Sequence, residues 1–170
     1  MFSGNTTAQQ KRFDDLLAKE GPALMRLSAA YTNGGSDRED LFQDIAFAIW
    51  QALPRFRGEC SERTFAFRIA HNRGMAYLAR RRPAGVPAEE IQLHDPKPDP
   101  ETGYSQEQQG TRLFEAIYQL PLGYKQVITL TLEGMAYTEI AEILGLSESN
   151  VGVRLNRAKQ MLRQLLQVQK

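Results

Sequence analysis

One stretch limits the folds open to this chain more than any other: Tyr137 to Leu165, YTEIAEILGLSESNVGVRLNRAKQMLRQL. It contains two short amphipathic helical patterns separated by one tight turn, the spacing of a helix-turn-helix. Ile140, Ala141 and Leu144 fall on one face of the first pattern. Gly145 suits a left-handed C-terminal cap, and Ser147 offers an N-cap oxygen to the second helix. Val151, Leu155, Ala158, Leu162 and Leu165 recur at helical spacing and predict a buried stripe. Opposite it lie Ser149, Asn150, Val153, Asn156 and Arg157, a small polar surface suited to lie along base edges in a major groove, with Glu148 beside them and Arg154 and Arg157 able to grip phosphate.

Composition narrows the partners. No segment approaches the roughly 18 apolar residues of a membrane span, and MFSGNTTAQQKRF has no apolar run after its charges, so a cytoplasmic protein without membrane insertion is expected. One cysteine, Cys60, rules out an internal disulfide, and two distant histidines do not make a zinc set, so neither metal nor cofactor is expected. The net charge of +1 conceals a pattern. Residues 1–82 carry 13 basic and 9 acidic side chains, 83–110 carry 1 and 6, and 111–170 carry 7 and 5. Two mildly basic blocks flanking an acidic connector suit two nucleic-acid-binding units joined by a tether that avoids DNA.

Taken in order, Phe13, Leu16 and Leu17 predict a first helix from Ala8 to Lys19 that Gly21-Pro22 closes, with Pro22 opening a second one. Asn33-Gly34-Gly35 stops that second helix. Ser36 to Glu39 reads as a capping box, and a third helix runs from Asp37 to Leu53. Phe42, Ile45, Ala46, Ile49 and Leu53 form its apolar stripe, while Asp37, Asp40 and Asp44 stack along another side with Gln43 and Leu41 beside them. An acidic strip of this kind suits docking of a basic partner helix. Pro54 ends the helix, and Phe56, Arg57 and Glu59 lie in a short basic loop. A fourth helix follows, capped by Ser61 and running to Arg82. Phe65, Ile69, Asn72 and Ala76 share one side, while Arg63, Arg68, His71, Arg73 and Arg80-Arg81-Arg82, interleaved with Phe65, Phe67 and Tyr77, form the mixture of flat and cationic groups that single-stranded DNA requires.

The segment 83–110 is rich in proline and acid and reads as a flexible linker. Fully extended it could span roughly 90–100 Å. Leu113, Ala116, Ile117 and Leu120 then start a second helical unit, Pro121-Leu122-Gly123 turns the chain, and a helix from Val127 to Glu133 leads through Gly134 into the helix-turn-helix.

The motifs in this order resemble those of a bacterial extracytoplasmic-function sigma factor of the sigma-70 family, the minimal two-domain class of RNA polymerase initiation subunits. Asp37-Arg38-Glu39-Asp40-Leu41-Phe42-Gln43-Asp44 is similar to the family's stretch that binds the β′ clamp helices. Phe56-Arg57-Gly58-Glu59, with Arg63-Thr64-Phe65 and Arg68-Ile69-Ala70-His71-Asn72, resembles its −10-melting segment, and Leu120 to Leu165 resembles its −35-binding domain. The resemblance implies an all-α fold of two small helical domains, 1–82 and 111–170, the second a four-helix helix-turn-helix domain. It also implies docking on core polymerase (β′ clamp helices and β subunit) through Asp37, Asp40, Leu41, Gln43 and Asp44. Contacts to the −10 element would come from Phe56, Arg57, Glu59, Arg63, Arg68, His71 and Asn72, and contacts to −35 from the helix that starts after Ser147. The family often adds an anti-sigma factor as a further partner.

Four positions depart from the family pattern. Phe65 stands where Trp is usual, Ala136 where Ser or Thr often starts a helix, and Gly152-Val153 where Lys and Ser are common. The rival function is a stand-alone helix-turn-helix regulator that binds a palindromic operator as a dimer, for which the sequence offers no dimerisation heptad. An enzyme is not expected, because nothing in the chain assembles a catalytic polar constellation.

Overall fold

The computed structural model describes residues 3–32, 35–81 and 106–168. Among them are seven α-helices and no strand: α1 (Ser3–Ala29), α2 (Gly35–Ala52), α3 (Glu62–Arg81), α4 (Gln106–Tyr118), α5 (Leu122–Leu132), α6 (Tyr137–Leu144) and α7 (Glu148–Val168). A single 3-10 turn, Leu53–Arg55, follows α2 and contains Pro54. Helices α1 to α3 pack on one another, as do α4 to α7. The acidic stretch between them lies outside the described residues, apart from Gln106 to Gly110, which begin α4.

The break expected at Gly21-Pro22 is absent. Pro22 sits inside one continuous α1, at a cost of about 3 kcal/mol for a proline in a helix interior. Ending the helix there would uncover Leu24 and Leu27, which are 0% and 1% exposed. Each contributes about 1.5–3 kcal/mol on burial, so packing outweighs the proline. Gly21 also has no Cβ for the proline ring to strike, which removes the usual objection to a helical residue before proline. Helices α2 and α5 begin earlier than the sequence predicts. Helix α2 starts at Gly35, ahead of the expected cap Ser36, and α5 starts at Leu122 rather than Val127, with Pro121 as its N-cap. The Pro121 carbonyl accepts from the N–H groups of Tyr124 and Lys125, so the residues read as a turn form the first turn of the helix.

The turn inside the helix-turn-helix follows the sequence. Gly145 adopts φ +66°, the left-handed cap that lets α6 stop in one residue. The Asn150 N–H donates to Ser147 Oγ at 3.1 Å, the expected N-cap of α7. Val151, Leu155, Ala158 and Leu162 are buried as one stripe. At the start of α6, Ala136 occupies the N-cap position without a side-chain acceptor. Only the reciprocal bond remains, from the Ala136 N–H to Glu139 Oε2 at 2.9 Å.

The two helical regions are not held apart. Helix α6 packs on α3, α1 reaches α5, and buried side chains of both regions join one hydrophobic cluster. Tyr31, in the turn just after α1, is wholly buried at this junction. Its hydroxyl shares a 2.7 Å hydrogen bond with His71 Nδ1, and its ring lies against Gly74, where a Cβ would come within 2.5 Å of the ring carbons. Next to it, Gln126 Nε2 of α5 donates to Met75 Sδ of α3 at 3.5 Å.

Candidate functional site

Helix α2 presents the acidic strip as a narrower face than the sequence predicts. At 100° per residue, Leu41 falls about 40° from Ile45 and therefore within the apolar stripe. It is 3% exposed, a core residue rather than a docking contact. Asp37 is turned inward. Its carboxylate accepts from Tyr77 Oη at 3.0 Å and from both terminal nitrogens of Arg81 at 2.8 and 3.1 Å, which ties α2 to α3. Asp44 lies 3.8 Å from Arg73 at the edge of the face. Asp40 and Gln43 remain exposed, and between them on the helical wheel stands Phe47, 59% exposed. The sequence held the signal for Phe47: an aromatic out of phase with the stripe and seven residues beyond Asp40.

The loop before α3 and the first turns of that helix form a cavity of about 300 Å³. Arg55, Phe56, Arg57, Glu59, Cys60, Phe65 and Arg68 line it. Phe56 and Phe65 stack at 4.6 Å between ring centroids, with Arg12 over the Phe56 ring. Arg57 and Glu59 are exposed, and burial raises the pKa of the Cys60 thiol. The sequence predicts one cationic DNA surface along α3, and the structure divides it. Phe67 is fully buried beneath Arg63, and burial lowers the His71 pKa, so its bond to Tyr31 makes it a strut of the junction. Asn72 is exposed.

Arg63 and Arg68 are already paired within the protein. Arg63 pairs with the buried Glu20 at 3.0 Å and donates to the Glu133 backbone carbonyl. Arg68 pairs with Glu142 of α6 at 3.0 Å, and Thr64 Oγ1 donates to Glu139 of the same helix at 3.0 Å. Farther along, Arg26 of α1 grips both oxygens of Glu133 at 2.5 and 2.8 Å, an ion pair that raises the arginine's pKa. Carboxylates from the C-terminal helices thus meet the basic groups of α1 and α3.

On α7 the expected set does come together. Glu148, Ser149, Asn150, Val153 and Arg157 are exposed, Val153 at 48%, while Arg154 is half-buried and its Nε donates to Asn150 Oδ1 at 3.1 Å. The backbone of this helix is fixed by its stripe, so the outward residues hold a rigid spacing, as groove reading requires.

A cleft of about 660 Å³ opens between α1, α4 and α5. Met25, Leu113, Ile117 and the exposed Phe114 and Leu132 give it apolar walls, and Arg38 and Lys125 contribute charge. Lys125 is 1% exposed, and its Nζ has no hydrogen-bond partner among the described residues. It lies 5.6 Å above the Tyr118 ring, and burial lowers its pKa to about 8. Among the described residues no group of three or more His, Cys, Asp or Glu could hold a metal ion, and no helix is long and apolar enough to cross a membrane.

Comparison with known proteins meets this geometry region by region. The family profile described as Sigma-70 region 2 matches residues 16–84, and that described as Sigma-70, region 4 matches residues 111–162. The RNA polymerase sigma factor NccH of Alcaligenes xylosoxydans xylosoxydans is 31% identical over 165 residues, covering 93% of this chain and 88% of its own. CnrH of Cupriavidus metallidurans is 31% identical over 174 residues, covering 96% and 89%. The structure of CnrH in complex with the cytosolic domain of CnrY superposes with a TM-score of 0.69 at 29% identity, covering 95% of this chain and 91% of that one. RpoE of Bartonella quintana, solved with the anti-sigma factor NepR, shares the fold at a TM-score of 0.71 and 22% identity. Both family matches fall in the order that the helices predict, and the chain is an extracytoplasmic-function sigma factor of the sigma-70 family, which binds core RNA polymerase and directs it to promoters.

Proposed function

We propose that residues 1–82 form the unit that docks on core polymerase and opens the −10 element, and that residues 111–170 form the unit that reads −35. The exposed face of Asp40, Gln43 and Phe47, with Asp44 at its edge, is the core-binding surface. Phe47 carries this assignment, since a large aromatic more than half exposed beside carboxylates is the anchor a basic partner helix needs. The loop cavity takes one unstacked base between Phe56 and Arg57, with Arg68 and Asn72 along its strand. Stacking and phosphate contacts there offset the few kcal/mol of unpairing. Ser149, Asn150, Val153 and Arg157 face the −35 groove, and Arg154 grips phosphate. The protein acts in the cytoplasm, where core polymerase works.

The relatives' structures with CnrY and NepR favour a second partner. The cleft between α1, α4 and α5, with Phe114 and Leu132 at its rim, suits an apolar segment of an anti-sigma factor with a carboxylate placed for Arg38.

The deciding experiment is equilibrium binding to purified core polymerase. Asp40→Arg with Phe47→Ala is expected to weaken binding on the order of 100-fold while the helical circular dichroism is unchanged. Unchanged affinity rejects the α2 face. Transcription by the reconstituted holoenzyme over a promoter library then supplies the DNA sequences for the other two sites.

A further inference from the structure

Val153 is the exception on the outward face of α7. From Glu148 to Arg157 the exposed residues are Glu148, Ser149, Asn150, Val153, Asn156 and Arg157, and only Val153 has no polar atom in its side chain. It is 48% exposed and out of phase with the buried stripe of Val151, Leu155 and Ala158, so packing does not require an apolar group there. Asn150 stands one turn before it, roughly 5–6 Å away between Cβ atoms. The Asn150 amide is already oriented within the protein, since its Oδ1 accepts from Arg154 Nε at 3.1 Å. Arg154 is itself confined against α5, where a Cβ added to Gly123 would come within 2.8 Å of its Nη1. With Oδ1 engaged, the Nδ2 hydrogens are what Asn150 has to offer a base. The face therefore presents a hydrogen-bond donor and, one turn further on, a pair of bare methyl groups.

In the major groove guanine shows two acceptors, cytosine a donor, adenine an acceptor and a donor, and thymine the O4 acceptor beside a C5 methyl. We infer that Asn150 and Val153 together select a thymine within the −35 element, Asn150 donating to O4 and the Val153 methyls packing on the C5 methyl. The inference rests on the assignment of α7 to −35 above and names the base read at one position of it. A donor alone is served equally by guanine, and an apolar contact alone by any methylated pyrimidine. The two demands together leave thymine. Valine at 153 has a reason on this reading: a serine there would carry a hydroxyl that bonds to either kind of base group and would lack the branch that covers a methyl.

Binding of the reconstituted holoenzyme to promoter duplexes tests this. The −35 element is the one selected from the promoter library, and its thymines are replaced one at a time, on either strand, by deoxyuridine, which lacks only the C5 methyl. One position is expected to lose about three- to fivefold in affinity, the value of burying one methyl group. Val153→Ser is expected to bind the thymine and deoxyuridine forms of that position within about 1.5-fold of each other, because the group that sensed the methyl is gone. Exchanging the same pair for 5-methylcytosine and guanine keeps the methyl but puts an amino donor in place of O4. That exchange is expected to weaken binding about tenfold, and Asn150→Ala to remove most of the difference. Indifference to deoxyuridine at every position overturns the inference, as does an equal loss in the Val153→Ser holoenzyme or 5-methylcytosine bound as well as thymine. A duplex with a scrambled −35 element separates the two levels. If it binds as tightly as the selected one, α7 does not read −35 and the inference falls with that assignment. If it binds more weakly while deoxyuridine is tolerated throughout, the −35 assignment stands and the thymine contact alone is rejected.

Discussion

Helices α3 and α7 are both cationic, and they use their charge differently. On α3, Arg63, Arg68, Arg73 and Arg81 each meet a carboxylate from another helix: Glu20, Glu142, Asp44 and Asp37. On α7, Arg157, Lys159 and Arg163 are exposed. A third condition is seen at Lys125, buried without a hydrogen-bond partner among the described residues. Positive residues at helical spacing therefore do not define a nucleic-acid surface by themselves. What defines it is whether the protein has already supplied the counter-charge, and that is a property of tertiary packing.

The comparison breaks most visibly in DNA binding by the free chain. With a −35 duplex taken from the promoter library, Asn150→Ala with Arg157→Ala is expected to weaken binding about 10–100-fold, the range of losing a base contact and a phosphate contact. Arg68→Ala should change it less than about twofold, since its charge is already paired within the protein. Fluorescence anisotropy reads both, and an equal loss from Arg68→Ala would erase the distinction between the helices.

Lys125 sharpens the third condition. Its folded pKa of about 8 lies below the ordinary 10.5, so between those values the unfolded chain holds a proton that the folded chain does not. Stability from this group therefore rises with pH across that window and is lost as pH falls through about 8. Lys125→Met should stabilise the fold by about 1–3 kcal/mol at neutral pH, and the advantage should shrink towards pH 10.5. Urea denaturation at several pH values measures it. An advantage that does not vary with pH would show that a partner already satisfies the amine.

Smaller effects probe the helices that carry the two surfaces. Ala136→Ser should restore a capping oxygen at α6 and stabilise the protein by about 1 kcal/mol. No gain in melting temperature would mean that the Glu139 bond alone suffices. The smallest change concerns Gly152, where a new Cβ would stand 3.6 Å from the Tyr137 ring, an ordinary contact. Gly152→Ala should stabilise α7 by about 0.5–1 kcal/mol. Gly152→Lys should in addition steepen the salt dependence of duplex binding by about 0.9 in log-log slope. A lysine variant that loses preference for the selected duplex over a scrambled one would show that glycine is needed for close approach.

What was legible in the sequence is whatever short-range periodicity controls. The stripe of α7, the Gly145 cap, the Ser147 and Ser61 N-caps and the apolar face of α2 all follow from residues three and four apart, and the Ser61 cap appears as the Thr64 N–H donating to Ser61 Oγ at 3.0 Å. Leu41 was also within reach, because the wheel that buries Ile45 buries its neighbour at i−4. The continuous α1 was not, since the proline penalty is local and the burial that outweighs it is supplied by other helices. The partners of Arg63 and Arg68 were invisible for the same reason: Glu133 and Glu142 lie some 70 residues away along the chain. Pairing at that range depends on how helices pack, which no local pattern encodes.

The contact between Gly74 and the Tyr31 ring has a consequence for how such a chain can change over generations. Any side chain at 74 collides with the ring, and a smaller residue at 31 leaves both a void and an unanswered His71 nitrogen. Each first step is therefore harmful unless the other has already been taken. Descendants should keep the pair or replace both members together, and an intermediate with only one of them altered should be rare among living lineages. The two positions are inherited as one character, although they stand 43 positions apart in the gene product.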